Sequence, residues 1–501
     1  MNKSILLLTG VACAACGGKG KEEAKKTPNV LVIIADDLGY GDVSCYGSPT
    51  ISTPNIDRIA EGGLRFMQAY STAATSTPSR YSLLTGMYPW RNKDAKILPG
   101  DAPLIISPEA MTVPKLFRRA GYATATIGKW HLGLGSGQVD WNTTVSPNPS
   151  DIGYDYSYIQ AATNDRVPCV FVENGKVDNL DAADPIFVSY KENFDGEPTG
   201  KLNPELLKMH PSHGHDMSIV NGISRIGFMK GGKAALWTDE TMAEVFVEKA
   251  KQFISGHKDR PFFMYYGLHQ PHVPRVPNEK FAGRSGMGPR GDAILEADWG
   301  VGELLDYLDE LGLAENTIVL FSSDNGPVVD DGYRDQAVEL LGAHKPAGPL
   351  RGGKYSLFDG GTRVPFIVRY PGNVEAGAVS DAIVSQLDLL ASFAELTGVA
   401  LDGTFDSQNL LDAFLGKSAA GRNDLVIEGI RNLAYREGDW VLFPPSEGEA
   451  YSPLTGTETG RSPEYQLYNL ETDLGERTNL AANNPEKVKT MQEKLDKIVN
   501  R

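Results

Sequence analysis

Asn29-Val30-Leu31-Val32-Ile33-Ile34-Ala35 is an uninterrupted apolar run that leads directly into the acidic pair Asp36-Asp37. A β-branched apolar run of this length predicts a strand that is buried on both faces, as in a parallel sheet. Similar runs predict further strands at 122–128, 261–268, 317–323 and 364–369, and helical periodicity separates them at 238–254, 292–311 and 385–396. This alternation predicts an α/β fold built on a large, doubly wound, mostly parallel sheet.

The sequence changes in character after about residue 415. Short strand patterns at 424–428, 434–437, 440–443 and 466–470 precede a polar helical segment from about residue 485 to 500. They predict a small C-terminal α+β subdomain with a short antiparallel sheet. We therefore divide the chain into a targeting segment and tether at 1–26, a catalytic domain at 27–415 and the subdomain at 416–501. Residues 139–233 are rich in Gly, Pro, Asp and Asn, which predicts a loop-rich insertion that shapes a binding site.

The first residues have the pattern of an export signal. Lys3 precedes an apolar segment from Ile5 to Ala15, which is too short to cross a membrane. The following Cys16-Gly17-Gly18 resembles a bacterial lipobox, with cleavage before Cys16 and Cys13 as the alternative. We expect an exported protein, in the periplasm or at the cell surface, anchored by a lipid on Cys16. An ordinary secretory signal cleaved nearby is the other interpretation.

Composition excludes some partners. The chain has 501 residues, 41% of them hydrophobic, and a formal net charge of −16. Such a surface repels nucleic acid and anionic membranes, so we expect no nucleic-acid partner and membrane contact only through the lipid anchor. Beyond the targeting segment only Cys45 and Cys169 remain. They could pair in an oxidising compartment, but free buried thiols are equally compatible with the sequence.

Two oxygen-rich pairs follow predicted buried strands. Asp36-Asp37 ends the first strand, and Asp324-Asn325 ends the strand at 317–323. Both pairs are also ordinary turn sequences. At neighbouring carboxyl ends, however, they would bring three carboxylates and an amide together at one edge of the sheet. Such a set suits Ca²⁺, which takes about six to eight oxygen ligands, better than zinc.

Four further motifs carry candidate reactive side chains. Taken alone, Ser76-Thr77-Pro78-Ser79-Arg80 predicts a turn in which Pro78 fixes φ and Ser79 caps the next helix. The other three motifs would each be ordinary loop or surface segments in isolation. They are Gly128-Lys129-Trp130-His131, His269-Gln270-Pro271-His272 and Gly353-Lys354-Tyr355.

Together, and in this order, the motifs resemble those of the sulfatase family, which has the alkaline-phosphatase-like superfold. The resemblance is to bacterial S-type, formylglycine-dependent enzymes of the arylsulfatase A-like kind, in the carbohydrate sulfatase subgroup. Asp36-Asp37-Leu38-Gly39-Tyr40-Gly41-Asp42 and Leu467-Tyr468-Asn469-Leu470 match the family especially closely. Membership implies a sulfuric ester hydrolase. One departure is Asp359, where the family more often has Glu, and we expect Asp359 to be structural.

The resemblance also implies the roles of individual residues. Ser76 would be oxidised to 3-oxoalanine (formylglycine) by an anaerobic sulfatase-maturating enzyme, and Arg80 would orient its hydrate. His131 would assist the hydrate, and His272 would protonate the leaving sugar oxygen. The sulfate oxygens would be bound by Lys129, His272 and Lys354. The Ca²⁺ ligands would be Asp36, Asp37, Asp324, Asn325 and the modified Ser76.

Selection of the sugar must come from the insertion. Asp165-Arg166 could grip adjacent hydroxyls with charge-assisted hydrogen bonds, and His215 lies in a second candidate segment. The alternative for Asp165 and Arg166 is a surface ion pair that contributes under about 1 kcal/mol. Both segments resemble those of enzymes that act on galactose or N-acetylgalactosamine. We expect an exo-acting sulfatase for sulfated glycans, with 6-O-sulfate ahead of 4-O-sulfate.

Three other functions remain open on the sequence. The first is a phosphoric ester or phosphonate hydrolase of the same superfold. The second is a protein that binds sulfated glycan without converting Ser76. The third is a structural surface lipoprotein, for which so many ionisable groups at strand ends would have no purpose.

Overall fold

The computed structural model describes residues 27–501, so the targeting segment and Cys16 lie outside the described residues. Within that range there are eighteen strands, numbered in chain order. They are β1 Asn29–Ala35, β2 Leu64–Tyr70, β3 Ala123–Lys129, β4 Tyr156–Gln160, β5 Phe171–Glu173, β6 Lys176–Val177, β7 Phe187–Ser189, β8 Ile219–Val220, β9 Ile223–Ser224, β10 Phe228–Lys230, β11 Phe262–Gly267, β12 Thr317–Ser323, β13 Phe366–Arg369, β14 Ala378–Ser385, β15 Asp424–Glu428, β16 Leu433–Glu437, β17 Trp440–Phe443 and β18 Gln466–Asn469.

Ten of these strands form the central sheet, in the order β14-β2-β13-β12-β1-β11-β3-β4-β5-β6. The five strands from β12 to β4 run parallel, with β1 fully buried between β12 and β11. On either side of this block, β13 and β5 pair antiparallel with their neighbours. The α/β class and the largely parallel centre predicted from the apolar runs are therefore confirmed, although the edges of the sheet are mixed.

The helices form two separate groups against the sheet. Helices α1 and α4 both contact α5, and α2, α3 and α6 contact one another as the second group. Both α3 and α4 contact β3, as expected for helix layers on the two faces of a doubly wound sheet. The helices are α1 Pro54–Glu61, α2 Ser76–Thr85, α3 Val113–Arg119, α4 Met242–Gly256, α5 Gly288–Glu310, α6 Leu389–Thr397, α7 Leu411–Phe414 and α8 Pro485–Val499.

The C-terminal region contains the predicted antiparallel sheet. Strands β15, β16, β17 and β18 pair in sequence order, and α8 packs against β16 and β17. An isolated bridge joins Glu428, at the end of β15, to Ala73. The small sheet therefore touches the segment that leads into Ser76. The boundary between residues 415 and 416 stays a prediction.

One local prediction is wrong, and several strands of the central sheet were not predicted. Helix α2 begins at Ser76 with Thr75 as its N-cap, so Ser79 lies inside the helix and does not cap it. The insertion at 139–233 is rich in loops, as predicted, and it also contributes β4, β5 and β6 to the central sheet. Strands β2 and β14 also belong to that sheet and were not predicted.

The structure also bears on the cysteines and on membrane spanning. Cys45 and Cys169 are both free thiols, so the pairing alternative does not hold. Within residues 27–501, no helix has the length and apolar character needed to cross a bilayer.

Candidate active site

The two oxygen-rich pairs meet because their strands are neighbours in register. Strands β1 and β12 pair in parallel with Ala35 opposite Ser323, so the segments that follow the two strands leave the sheet at the same edge. The Asp324 amide donates to the Ala35 carbonyl at 3.0 Å, and the Asp37 amide donates to Asp324 Oδ1 at 3.3 Å. Asn325 Nδ2 donates to Asp37 Oδ1 at 2.8 Å. All four side chains are buried, so the structure brings the predicted ligand set together.

Ser76 lies beside this acidic centre, at the first residue of α2. Its Oγ is 3.3 Å from Asp36 Oδ1 and 3.4 Å from Asn325 Oδ1. Its side chain is buried but lines a cavity. The N-terminus of a helix favours negative charge, because its first amide groups have no partner within the helix. An oxygen nucleophile at residue 76 would therefore develop charge where α2 stabilises it.

Three buried cations surround the carboxylates. Lys129, at the end of β3, places Nζ 2.5 Å from Asp36 Oδ1. Arg80, one turn into α2, holds Asp324 through Nε and Nη2 at 2.9 and 2.8 Å. Arg80 Nη1 also donates to Tyr265 Oη at 2.8 Å, so Arg80 is fixed through Asp324 and Tyr265 rather than directly to Ser76.

The third cation, Lys354, reaches the site from a loop. Its Nζ lies 2.8 Å from both Asp37 Oδ2 and Asp331 Oδ2. Although burial opposes it, the two carboxylates hold the pKa of Lys354 well above its usual value. Lys354 therefore stays charged at the rim of the acidic centre.

The donor set fits an additional cation. Asp36 Oδ2 is buried without a hydrogen-bond partner among the described residues. Burial raises the pKa of Asp36 to about 8 against the influence of Lys129, and the charges of Asp324 and Asp37 raise it further. Ligand atoms of Asp36, Asp37 and His272 lie within 4.8 Å of one another. Asp324 lies outside that set of three, with Oδ2 engaged by Arg80 and Lys129. Hard carboxylate oxygens with one orphan acceptor are suited to Ca²⁺.

The two predicted catalytic histidines present one free nitrogen each. His131 Nε2 lies 3.0 Å from the Leu98 carbonyl, so Nε2 carries the proton and Nδ1 has no partner among the described residues. His272 Nδ1 lies 2.7 Å from the Val273 carbonyl. The other ring nitrogen, Nε2, faces Asp37 and lies 3.8 Å from its Oδ2. Burial lowers the pKa of both rings well below the usual value, with added effects of Lys129 on His131 and of Lys354 on His272.

Ser76 opens into a cavity of about 220 Å³ that also contains the predicted sugar-binding residues. Asp165 is only 2% exposed and accepts hydrogen bonds from Arg166 Nη1 at 2.8 Å and from His215 Nε2 at 3.0 Å. The surface ion-pair alternative for Asp165 and Arg166 is therefore wrong. The other ring nitrogen of His215, Nδ1, lies 2.7 Å from the His213 carbonyl.

Two residues of this cavity were missed from the sequence. Asp331 pairs with Lys354 and accepts a 3.1 Å hydrogen bond from the Tyr355 hydroxyl. Tyr355 has a positive φ of 77°, which is uncommon for a large residue and marks a fixed loop conformation. The available signal was the acidic pair Asp330-Asp331 shortly after Asn325, but acidic pairs in loops are common. Asp359 lies outside this cavity, where its Oδ2 accepts from Tyr70 and Arg363 at 3.1 Å each.

A serine at a helix N-terminus, an acidic centre and three buried cations at the edge of a parallel sheet define a hydrolase of anionic esters. The chain belongs to the sulfatase family, whose model matches residues 28–399. It is a sulfuric ester hydrolase, as the resemblance implied.

Individual relatives agree with the family. The chain is 49% identical over 501 residues to an N-acetylgalactosamine-6-O-sulfatase of Bacteroides thetaiotaomicron. The alignment covers 99% of this chain and 98% of the relative. The chain is 32% identical to human arylsulfatase A, over 91% of this chain and 83% of the relative. A solved structure from work on the metabolism of multiple glycosaminoglycans by B. thetaiotaomicron superimposes with a TM-score of 0.94. It is 50% identical and covers 95% of this chain and 100% of the solved chain.

Proposed function

We propose that this protein is a carbohydrate sulfatase that removes 6-O-sulfate from N-acetylgalactosamine or galactose at glycan ends. The observation that carries the proposal is the near-complete match to a relative named as an N-acetylgalactosamine-6-O-sulfatase. Asp165, Arg166 and His215 support it, because they line the same cavity as Ser76. A 4-O-sulfatase of the same sugars is the alternative within the class.

The cavity has the polarity that a sugar needs. Asp165 accepts hydrogen bonds from three side chains, Thr163, Arg166 and His215, so its carboxylate is held in one orientation at the cavity wall, where it can meet a sugar hydroxyl. Arg166 donates to Thr163 at 2.6 Å and to Asp165, and its other guanidinium N–H groups can donate to the same sugar. This pairing of an acceptor with a donor suits adjacent hydroxyls better than it suits an apolar ring.

Ser76 is the residue on which chemistry would depend. Conversion to 3-oxoalanine would supply a hydrated aldehyde as the nucleophile, and bound Ca²⁺ would supply positive charge beside it. Lys129 lies 2.7 Å from Ser76 Oγ and would hold a group on residue 76 in place. Lys129, Lys354 and His272 would bind the sulfate oxygens and stabilise the charge that develops there. Arg80 would act through Asp324, by keeping that carboxylate oriented.

The two histidines would divide the proton transfers. His131 Nδ1 is an acceptor beside the cavity with no partner in residues 27–501, which suits a base that takes a proton from the hydrate on residue 76. His272 also lines the cavity, and its Nδ1 is held by the Val273 carbonyl. Its Nε2, which lies 3.8 Å from Asp37 Oδ2, would first take up a proton from water and would then deliver that proton to the leaving sugar oxygen.

Maturation and location are part of the proposal. A serine at position 76 supports oxidation by an anaerobic sulfatase-maturating enzyme. The lipobox-like sequence at Cys16 supports export to the periplasm or cell surface, with a lipid anchor. Such a location would expose the cavity to glycans that enter from outside the cell.

The proposal is tested with matured protein and a panel of defined esters. The panel contains N-acetylgalactosamine and galactose with sulfate on O6 or O4, and matched phosphate and phosphonate esters. We expect the highest kcat/KM for the 6-O-sulfated sugars. Preference for the 4-O-sulfates would favour the alternative, and preference for phosphate or phosphonate would contradict both.

A further inference from the structure

A second cavity opens beside the catalytic cavity, with a volume of about 300 Å³. His213 and Gly214 line both cavities, so the two are contiguous. A Cβ added to Gly214 would meet nothing within 4 Å, so the boundary between the cavities is open at this residue. A glycan that enters the catalytic cavity can therefore extend over Gly214 into the second cavity.

The second cavity has more cationic than acidic side chains in its lining. Lys201 and Arg334 line it, and neither forms an ion pair within 4.0 Å with any residue in the described range 27–501. His210 and His213 add two imidazoles, and Asp216 is its single acidic lining residue. Two cations against one carboxylate give this concave site a net positive charge, although the chain as a whole has a net charge of −16.

Backbone hydrogen bonds fix the two residues that carry these cations. The Lys201 amide donates to the Asp216 carbonyl at 2.8 Å, and the Arg334 amide donates to the His210 carbonyl at 2.9 Å. A bridge between Pro211 and Tyr333 fixes the same strip of chain. The cavity is therefore built on the segment that carries His215 and the loop that carries Asp331. It is formed by the substrate-binding part of the molecule.

We infer that the second cavity binds a second anionic group of the same glycan, either another sulfate ester or a uronate carboxylate. Lys201 and Arg334 supply the positive charge, and Arg334 can hold two oxygens of either group at once. His210 and Asp216 offer hydrogen bonds to neighbouring hydroxyls. This inference rests on the proposed glycan substrate. It adds that the preferred substrate carries an anion besides the sulfate that is removed.

The test compares four substrates of the matured full-length protein, all bearing one 6-O-sulfated N-acetylgalactosamine. They are the monosaccharide and three oligosaccharides in which the neighbouring sugar is neutral, sulfated or a uronate. We expect kcat/KM to be about tenfold higher with a charged neighbour than with a neutral one, as for partly exposed charge-assisted contacts. The ratio of kcat/KM with a charged neighbour to kcat/KM with a neutral neighbour should fall as the salt concentration is raised. Comparison of the sulfated substrate with the uronate substrate shows whether the second cavity prefers a sulfate ester or a carboxylate.

The decisive variant is Lys201→Ala with Arg334→Ala. It should remove the preference for a charged neighbour and leave kcat/KM on the monosaccharide unchanged. The matched control, Lys489→Ala with Arg284→Ala, removes two exposed cations that do not line this cavity and should keep the preference. Melting temperatures of both variants show whether each is folded.

The outcomes separate the two proposals. A wild type that treats all neighbours alike, or a double variant that keeps the preference, overturns the inference and leaves the proposed function standing. Failure of the matured wild type on every 6-O-sulfated substrate overturns the proposed function and this inference together.

Discussion

The ammonium group of Lys129 lies 2.7 Å from the Oγ of Ser76, with both side chains buried. The same Nζ reaches Asp36 at 2.5 Å and Asp324 at 3.4 Å. Burial lowers the pKa of Lys129, while the two carboxylates act in the opposite direction. Lys129 therefore links Ser76 to the carboxylates of the acidic centre, because one ammonium group contacts both. The conversion of Ser76 and the occupancy of the acidic centre can be tested separately.

The first prediction concerns Ser76. Ser76→Ala should abolish sulfate release, because alanine has no oxygen to oxidise, while the melting temperature should change little. Sulfate release is measured after co-expression with a maturation system, and mass spectrometry of the peptide that contains residue 76 reports conversion. Ser82→Ala is the matched control, since it removes a buried hydroxyl from the same helix that does not line the catalytic cavity and has no hydrogen-bond partner within residues 27–501. Substantial turnover by Ser76→Ala would contradict the assignment of the nucleophile.

The second prediction concerns the metal. Elemental analysis of purified protein should find about one Ca²⁺ per chain, as hard oxygen ligands favour. Asp36→Asn should lose the ion, because it replaces a carboxylate whose Oδ2 lacks a partner among the described residues. Asp306→Asn, which changes an exposed carboxylate on α5, should retain it. Stoichiometric zinc, or full activity after exhaustive chelation, would show that the site is misassigned.

The sequence was sufficient for the centre of the fold and the acidic site. Continuous apolar runs give β1 and β12, and their parallel pairing brings Asp36 and Asp324 to one edge. Strand β2 was missed because Arg65 and Gln68 interrupt its apolar pattern, and β14 because it contains an irregularity between Ser380 and Ile383. These strands are stabilised by partners that are far away in sequence, so local patterns do not identify them.

The contacts around the sugar site could not be predicted from the sequence either. Asp331 and Lys354 are joined at 2.8 Å across an intervening loop with little periodicity. The burial of Asp165 depends on His215, which lies fifty residues further along the chain. An exposed Asp-Arg pair and a buried one have the same local sequence. Only the path of the insertion distinguishes them.

The third prediction concerns recognition of the sugar. Asp165→Asn should lower kcat/KM on 6-O-sulfated N-acetylgalactosamine by at least about 100-fold, since losing a charged hydrogen bond to a buried partner costs roughly 2–5 kcal/mol. Activity on a simple aryl sulfate, which lacks the sugar hydroxyls, should change far less. Because the pair is buried, we also expect a lower melting temperature, unlike an exposed loop pair. Equal losses on both substrates would make Asp165 a structural residue.

The last prediction concerns Glu296 on α5, a buried carboxyl that lies outside the catalytic cavity. Burial raises its pKa to about 7, although hydrogen bonds from the Asn278 amide and Gln270 Nε2 act against this. The folded protein therefore keeps a proton on Glu296 that the unfolded chain releases at its ordinary pKa of 4.5. The stability associated with this proton is fully present below pH 4.5 and is lost as the pH rises toward 7. The loss is up to about 3 kcal/mol.

Glu296→Gln mimics the protonated carboxyl and should remove this loss. Gln270 Oε1 has no partner among the described residues, so a flipped Gln270 amide can accept from the new side-chain amide. Urea unfolding at pH 5 and pH 8 should show a smaller fall in the free energy of unfolding for Glu296→Gln than for the wild type. Glu310→Gln, an exposed change at the end of the same helix, should behave like the wild type. If the free energy of unfolding of Glu296→Gln falls as steeply as that of the wild type between the two pH values, Glu296 is already ionised in the folded state.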